Sequence, residues 1–204
     1  PKLLRESAVP PIVLYGKGEQ EVLASTISVF VGVVGTRRIS SYGREVTQSL
    51  TSSLVSSGCV IVSGLAMGVD AEAHTTTIDL GGKTIAVLGS GVDACYPTIN
   101  TDIYTRIISG NGVVVSEYPM GEPPSKGSFP SRNRIIAGLS HGVVLTEGSA
   151  DSGALYTAHE AFALRRPVFA VPGPITSSLS KAPNSLLTKG AILVTSGEDI
   201  LTAV

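Results

Sequence analysis

Six short apolar runs, each ending in a turn rich in Gly, Ser or Pro, constrain the fold of this chain more than any other feature. Val29-Phe-Val-Gly-Val-Val34 gives way to Gly35-Thr36-Arg37-Arg38, and Val60-Ile-Val62 to Ser63-Gly64-Leu-Ala-Met67-Gly68-Val-Asp70. Thr84-Ile-Ala-Val-Leu88 ends in Gly89-Ser90-Gly91, and Val113-Val-Val115 ends in Ser116-Glu117-Tyr-Pro119. Val143-Val-Leu145 runs into Thr146-Glu147-Gly-Ser149, and Val168-Phe-Ala-Val171 into Pro172-Gly-Pro174. Runs this short and β-branched read as strands buried on both faces. Helical stretches between them, from about Ser41 to Ser57, from Asp70 to about Leu80 and from Asp151 onward, predict an α/β fold. Its sheet should be largely parallel, with helices on both faces. Right-handed crossovers bring the C-terminal ends of such strands to one edge. Gly35 to Arg38, Ser63 to Gly68, Gly89 to Gly91, Glu117, and Glu147 to Gly153 are then expected around one crevice, where open α/β sheets bind ligands.

Residues 1–18 read as a linker leading to a short strand at Ile12-Val-Leu-Tyr15, bounded by Gly16 and Gly18, and residues 19–28 as a brief helix. Residues 19–204 are expected to form the core of a single domain. With 204 residues, 43% of them hydrophobic, the chain can bury one sizeable core. The apolar runs are strand-sized, too short for a bilayer, and no signal-peptide pattern precedes them, so a soluble cytoplasmic protein without a membrane partner is expected. A start at Pro1 rather than methionine suggests a piece of a longer chain. Cys59 and Cys95 lack metal-ligand or redox spacing and read as reduced thiols, and His141 and His159 stand alone. Neither a metal nor another cofactor is expected. Fifteen basic residues balance 16 acidic ones, for a net charge of −1, so a polyanion could be held only by a local patch.

Such a patch is visible in Lys126-Gly-Ser-Phe129-Pro-Ser131-Arg132-Asn133-Arg134, which gathers three cations and one aromatic into nine residues without a carboxylate. The residue before a proline avoids helical dihedrals, so a helix is expected to start near Ser131 as N-cap, with Ile135, Ile136 and Leu139 on its apolar face. Cations in a first turn oppose the helix dipole. A bound anion would offset that cost, with Arg132, Asn133 and Arg134 converging on one phosphate. Gly35, Thr36, Arg37 and Arg38 would supply backbone donors and two guanidiniums from across the crevice. Ser63, Gly64 and the turn up to Gly68 read as a second backbone cradle, and Gly68, Gly89, Ser90, Gly91, Ser152 and Gly153 as the pocket floor, with Ser152 as a helix N-cap. Asp70 is expected to cap the start of its helix and His74 to pair with it one turn on, rather than to form a hydrolytic triad with Ser63. No catalytic residue is assigned.

Taken together, these motifs resemble the DNA-processing protein A (Smf) family. The resemblance runs from about Pro11 to Leu201. It is carried by Gly35-Thr-Arg37, Ser63-Gly-Leu-Ala66 with Gly68, Asp70 and His74, Gly82-x-Thr84, Gly89-x-Gly91 with Asp93, and Tyr96-Pro97. Ser116-Glu117, Phe129-Pro-x-Arg-Asn-Arg-Ile-Ile-Ala-Gly-Leu-Ser140, Ser152-Gly153 with Thr157-Ala158, and Val171-Pro-Gly173 complete it. The resemblance implies an extended Rossmann-like fold that binds single-stranded DNA without sequence preference and without catalysis, and hands it to the RecA recombinase in natural transformation. It also implies a homodimer, and a DNA site lined by Arg37, Lys126, Phe129, Arg132, Asn133 and Arg134. Phe129 would offer a base a stacking face. Met67 and Ala182 depart from the family pattern, where a polar or basic residue and a glycine are usual.

Two other functions remain open on the sequence. Thr157-Ala-His-Glu160 after a glycine-bearing turn is similar to the string of lysine-decarboxylase-like phosphoribohydrolases, except that Tyr156 stands where a glycine would let a phosphate approach. A nucleotide-sensing domain could use the same crevice. Ile192-Leu-Val194 and Ile200-Leu201 are expected mainly in the core, with a dimer contact as the alternative.

Overall fold

The computed structural model describes residues 1–204. Eight strands form one sheet: Tyr15–Gly18 (β1), Phe30–Val34 (β2), Val60–Ser63 (β3), Thr84–Val87 (β4), Gly112–Ser116 (β5), Gly142–Leu145 (β6), Val168–Ala170 (β7) and Ile192–Leu193 (β8). Their order is β1-β5-β4-β3-β2-β6-β7-β8. Only β1 runs antiparallel, against β5; all other pairs are parallel. The helices are Lys2–Arg5 (α1), Ser41–Ser56 (α2), Val69–Asp79 (α3), Thr101–Ser109 (α4), Ser128–Leu139 (α5), Ala154–Ala163 (α6), Lys181–Leu187 (α7) and Gly197–Leu201 (α8).

The period-two alternation of the strands divides the core between two faces. Val60 and Val62 of β3, with Val143 and Leu145 of β6, pack with Ile135, Ile136 and Leu139 of α5 and Ala158 of α6. Ile61 and Val144 point the other way, to Leu50 and Leu54 of α2, Val69 and Ala73 of α3, and Ile200 of α8. A smaller cluster joins Ala86 and Val114 to Tyr104 and Ile107 of α4. The expected α/β class and largely parallel, doubly covered sheet are therefore the observed architecture.

Corrections fall at the ends. The first strand lies three residues later than expected, at Tyr15–Gly18, and leaves Ile12 fully exposed. Residues 19–28 hold only a short 3₁₀ turn, Gln20–Ala24. The N-terminal residues are docked rather than a free linker: Leu4 is buried, and the Arg166 guanidinium donates to Leu3 O of α1 (2.7 Å) and to Ala137, Gly138 and Ser140 carbonyls at the end of α5 (2.5–2.8 Å). One cation thus satisfies the free carbonyls of a helix C-terminus and latches α1 to it. At the other end the apolar C-terminal residues divide. Val194 and Ile200 are fully buried, whereas Ile192 and Leu193 lie exposed on the edge strand β8.

Strand order positions the site. From β2 the chain winds one way through β3, β4 and β5, then crosses back to the other side of β2 with β6 and winds outward through β7 and β8. The switch point lies between β2 and β6, and the loops after these strands diverge there to leave a crevice.

Candidate functional site at the switch point

A crevice of about 580 Å³ opens at that point. Gly35, Thr36, Arg37 and Arg38 after β2 form one wall, Lys126, Phe129, Arg132 and Asn133 at the start of α5 the facing wall, and Ser149, Ser152 and Gly153 after β6 the third side. Four cationic side chains face a single carboxylate, Asp70, so a chain with net charge −1 carries a local positive field here.

The β2 loop is held by two glycines. A Cβ on Gly35 would run into Val69 Cγ2 at 2.6 Å and the Glu147 carbonyl at 2.8 Å. Gly68 has φ +77°, and a Cβ there would strike the Thr36 carbonyl, which itself accepts from Val69 N at 3.1 Å. Only glycine permits that approach. Gly68 is therefore a support beneath the Arg37 loop rather than part of an anion floor. Arg37 is exposed, and its guanidinium lies 5.6 Å from the Phe129 ring centroid, within cation–π range. Tyr96 packs against the same ring, centroids 5.4 Å apart at 36°. Phe129 is thus half-buried between Arg37 and Tyr96, not an isolated exposed ring.

The start of α5 differs from expectation. The helix begins at Ser128 with Gly127 as N-cap, so Pro130 sits in its first turn, where a missing N–H costs nothing, and Ser131 donates back to Gly127 O. The three polar residues after it separate. Arg132 is 5% exposed and donates to the carbonyls of Gly64 and Val87, at the ends of β3 and β4. Burial pushes its pKa down to about 10, opposed by Asp70 and reinforced by Arg37, which leaves it a cation at neutral pH. Asn133 lines the crevice and donates to Gly153 O at 3.2 Å, tying α5 to the β6 loop. Arg134 points away, to Glu117 at 2.5 Å. The three do not converge on one point, because consecutive helical residues diverge by about 100° around the axis.

The second cradle is occupied by the protein itself. The Asp70 carboxylate accepts from Gly64 N (3.1 Å) and Ala66 N (3.4 Å), while Ser63, fully buried, donates to Val33 O. Burial raises the Asp70 pKa, with Arg132 and the two backbone donors pulling against that rise. The Gly89–Gly91 turn also lies outside the crevice. Gly89 is packed under Ser128 and Phe129, the Ser90 hydroxyl donates to Ala94 O, and Gly91 abuts Pro119. Glu147 turns to the N-terminus of α2, where it accepts from Ser40 N and Oγ. Ser152 and Gly153 do line the crevice, although Gly153 is the N-cap and Ser152 Oγ accepts from Ala154 N at 3.3 Å.

His74 does not pair with Asp70. Its Nδ1 lies 2.7 Å from Thr84 Oγ1, whose own hydroxyl donates to Ile61 O, so Nδ1 carries the proton and Nε2 is left without a partner. Burial, aided by the charge of Arg132, lowers its pKa to about 3. The folded state therefore holds the ring neutral, whereas an unfolded chain protonates it below about 6.5. Stability is expected to fall as pH drops from about 6.5 toward 3, at up to about 1.4 kcal/mol per pH unit from this group. Urea unfolding of His74→Asn, which keeps a donor toward Thr84, should show a shallower acid loss than the native chain.

Arg38 lines the crevice beside Arg37. Two further lining residues are missed by reasoning from sequence. Tyr96 was read as part of a Tyr-Pro motif and Tyr156 as an obstacle, yet both stand exposed at the crevice, 45% and 59% respectively. The available signal was an aromatic lying outside every apolar period. No group of three or more His, Cys, Asp or Glu side chains comes together.

Fold and site together define a Rossmann-like α/β protein with a cationic, aromatic-lined crevice at its switch point. A family profile described as DNA recombination-mediator protein A matches residues 1–204, and the chain belongs to that family. It is 41% identical to a Synechocystis protein Smf over all of its own length and 51% of that protein's. The DNA processing protein A of Streptococcus pneumoniae superimposes with a TM-score of 0.93 at 42% identity, covering 99% of this chain and 70% of that one. A Helicobacter pylori DNA processing protein A, whose structure concerns its single-stranded DNA binding mode, superimposes with a TM-score of 0.89 at 32% identity, covering 99% and 91%. The chain spans 51–66% of the curated relatives from Synechocystis, Bacillus subtilis and S. pneumoniae.

Proposed function

We propose that this chain is a sequence-independent, non-enzymatic core that binds single-stranded DNA in the crevice, protects incoming strands, and helps to load the RecA recombinase during transformation and recombination. The observation that carries this reading is the grouping of Arg37, Phe129 and Tyr96 beside Lys126 at the switch point. Cations follow a phosphate backbone, and stacked rings accept any base face, whereas a duplex keeps its bases inside. The relation to the H. pylori protein supports the same reading. Asn133, an amide in the crevice lining, is already committed to Gly153, which fits binding without base readout.

Polarisation titrations with oligothymidylate and a matched duplex test this. Tight binding of the single strand is expected, with log K falling against log salt at a slope near −2 if about three phosphates are neutralised. Absence of binding at low salt, or equal affinity for duplex, would overturn it.

A homodimer and a cytoplasmic location belong to the same proposal. No helix is long and apolar enough to cross a membrane. The edge strand β8, with Ile192 and Leu193 exposed, is a surface on which a second copy could extend the sheet. A phosphoribohydrolase reading gains no support from the geometry, since Glu160 does not line the crevice and Tyr156 projects there.

A further inference from the structure

We propose that the crevice is the first half of a longer single-strand track that continues over the Gly35–Arg38 loop into a second groove between α2, α3 and α4. The inference rests on the DNA reading above and adds a second site, for the phosphodiester backbone of the same strand. This groove, of about 500 Å³, presents Arg37, Arg38 and Arg44 against the single carboxylate of Glu72.

Continuity comes from Arg37. It lines the first crevice, a small pocket of about 40 Å³ between Met67, Tyr96 and Phe129, and the second groove, so the three depressions follow one another around a single side chain. Gly68 lines the second groove as well, and its missing side chain lets the start of α3 lie directly beneath the loop that separates the two depressions. A strand leaving the Phe129–Tyr96 rings across Met67 therefore arrives beside Arg38 and Arg44.

Arg44 is available to a phosphate although it pairs with Glu72. The pair is asymmetric: the Arg44 side chain is 56% exposed, the Glu72 side chain 9%. Glu72 also accepts from Gln48 Nε2 at 2.6 Å, so it keeps a partner if the guanidinium turns outward. The exposed guanidinium has further N–H donors and can turn these to a phosphate while one stays on the buried Glu72 carboxylate. The groove lining contains no aromatic residue, so its contribution is electrostatic: each added phosphate contact steepens the salt dependence by about 0.7.

Titrations with oligothymidylates of about 5 and about 15 nucleotides, each over a range of salt, test the track. For the native chain the longer strand is expected to bind more tightly than length statistics require, with a salt slope steeper by about 1 to 2. Arg44→Ala is expected to cut that slope gain by about 0.7 and to weaken the longer strand while leaving the short strand unchanged, and Arg44→Lys to retain the gain. Thr75→Glu, which puts a negative charge in the groove without removing the Arg44 ion pair, should act like Arg44→Ala and stands in for it if that variant does not fold. An undiminished long-strand gain in both variants, or equal loss for both lengths, would overturn the proposal. Failure of the native chain to bind either length would instead overturn the DNA reading of the first crevice.

Discussion

Arg132→Ala is expected to destabilise the fold by about 2–5 kcal/mol, because two buried backbone carbonyls lose a charge-assisted donor. The loss has identifiable parts. The carbonyls of Gly64 and Val87 would lose their donor, and the buried Asp70 carboxyl would lose the favourable field of the Arg132 charge. The free energy of urea unfolding measures it. Arg132→Met combined with Asp70→Asn should recover part of the loss, because the uncompensated charge is removed along with its partner. The same comparison separates two roles. If Arg132 were a phosphate ligand, its removal would leave stability near that of the native chain and flatten the salt dependence of binding by about 0.7. If it is a strut between α5 and the ends of β3 and β4, stability falls and the slope of the folded fraction holds.

Phe129→Ala is expected to weaken oligothymidylate binding by about 1–3 kcal/mol, or roughly 5- to 150-fold, with little change in salt slope, since a ring releases no counterions. Arg37→Ala should do the converse, flattening the slope by about 0.7. Because the Arg37 guanidinium rests on the Phe129 face, the two losses should not add. A double-mutant cycle is expected to return a coupling of about 0.5–1 kcal/mol. A steep loss of slope in Phe129→Ala would count against a stacking role, and strict additivity would mean that the observed cation–π contact has no part in binding.

The strand runs were legible because β-branched apolar segments between glycine turns have few alternatives in a chain of this size. The glycine turns themselves were misjudged in part. Ser63-Gly64, Gly89-Ser90-Gly91 and Gly35-Thr36 look alike as sequence, each being a polar turn after a strand. In the fold the first is filled by Asp70, the second lies under α5, and only the third opens to solvent. Which turn stays open depends on what the rest of the chain packs onto it. The start of α5 shows the same limit. Arg132, Asn133 and Arg134 read as one cluster, yet helical geometry sends Arg132 inward, Asn133 to Gly153 and Arg134 to Glu117. Tyr96 shows the reverse: 33 residues separate it from Phe129, and nothing in either neighbourhood announces the ring contact.

By itself, then, the sequence determined the layer architecture, the edge on which a ligand would lie, and the residue types that make that edge cationic and aromatic. These follow from local periodicity and from the handedness of crossovers, which act over a few residues at a time. Only the tertiary structure decided which cations remain free. Arg132 and Arg134 are claimed by partners distant in the chain, Gly64 and Val87 in one case and Glu117 in the other, while the side chains of Arg37, Arg38 and Lys126 line the crevice without a carboxylate or carbonyl partner, Arg37 resting on the Phe129 ring. The physical reason is that a buried guanidinium must be paired to be tolerated. Whether a given arginine serves the fold or a ligand is therefore set by what surrounds it in space, and strand order, not spacing in the chain, supplies those surroundings.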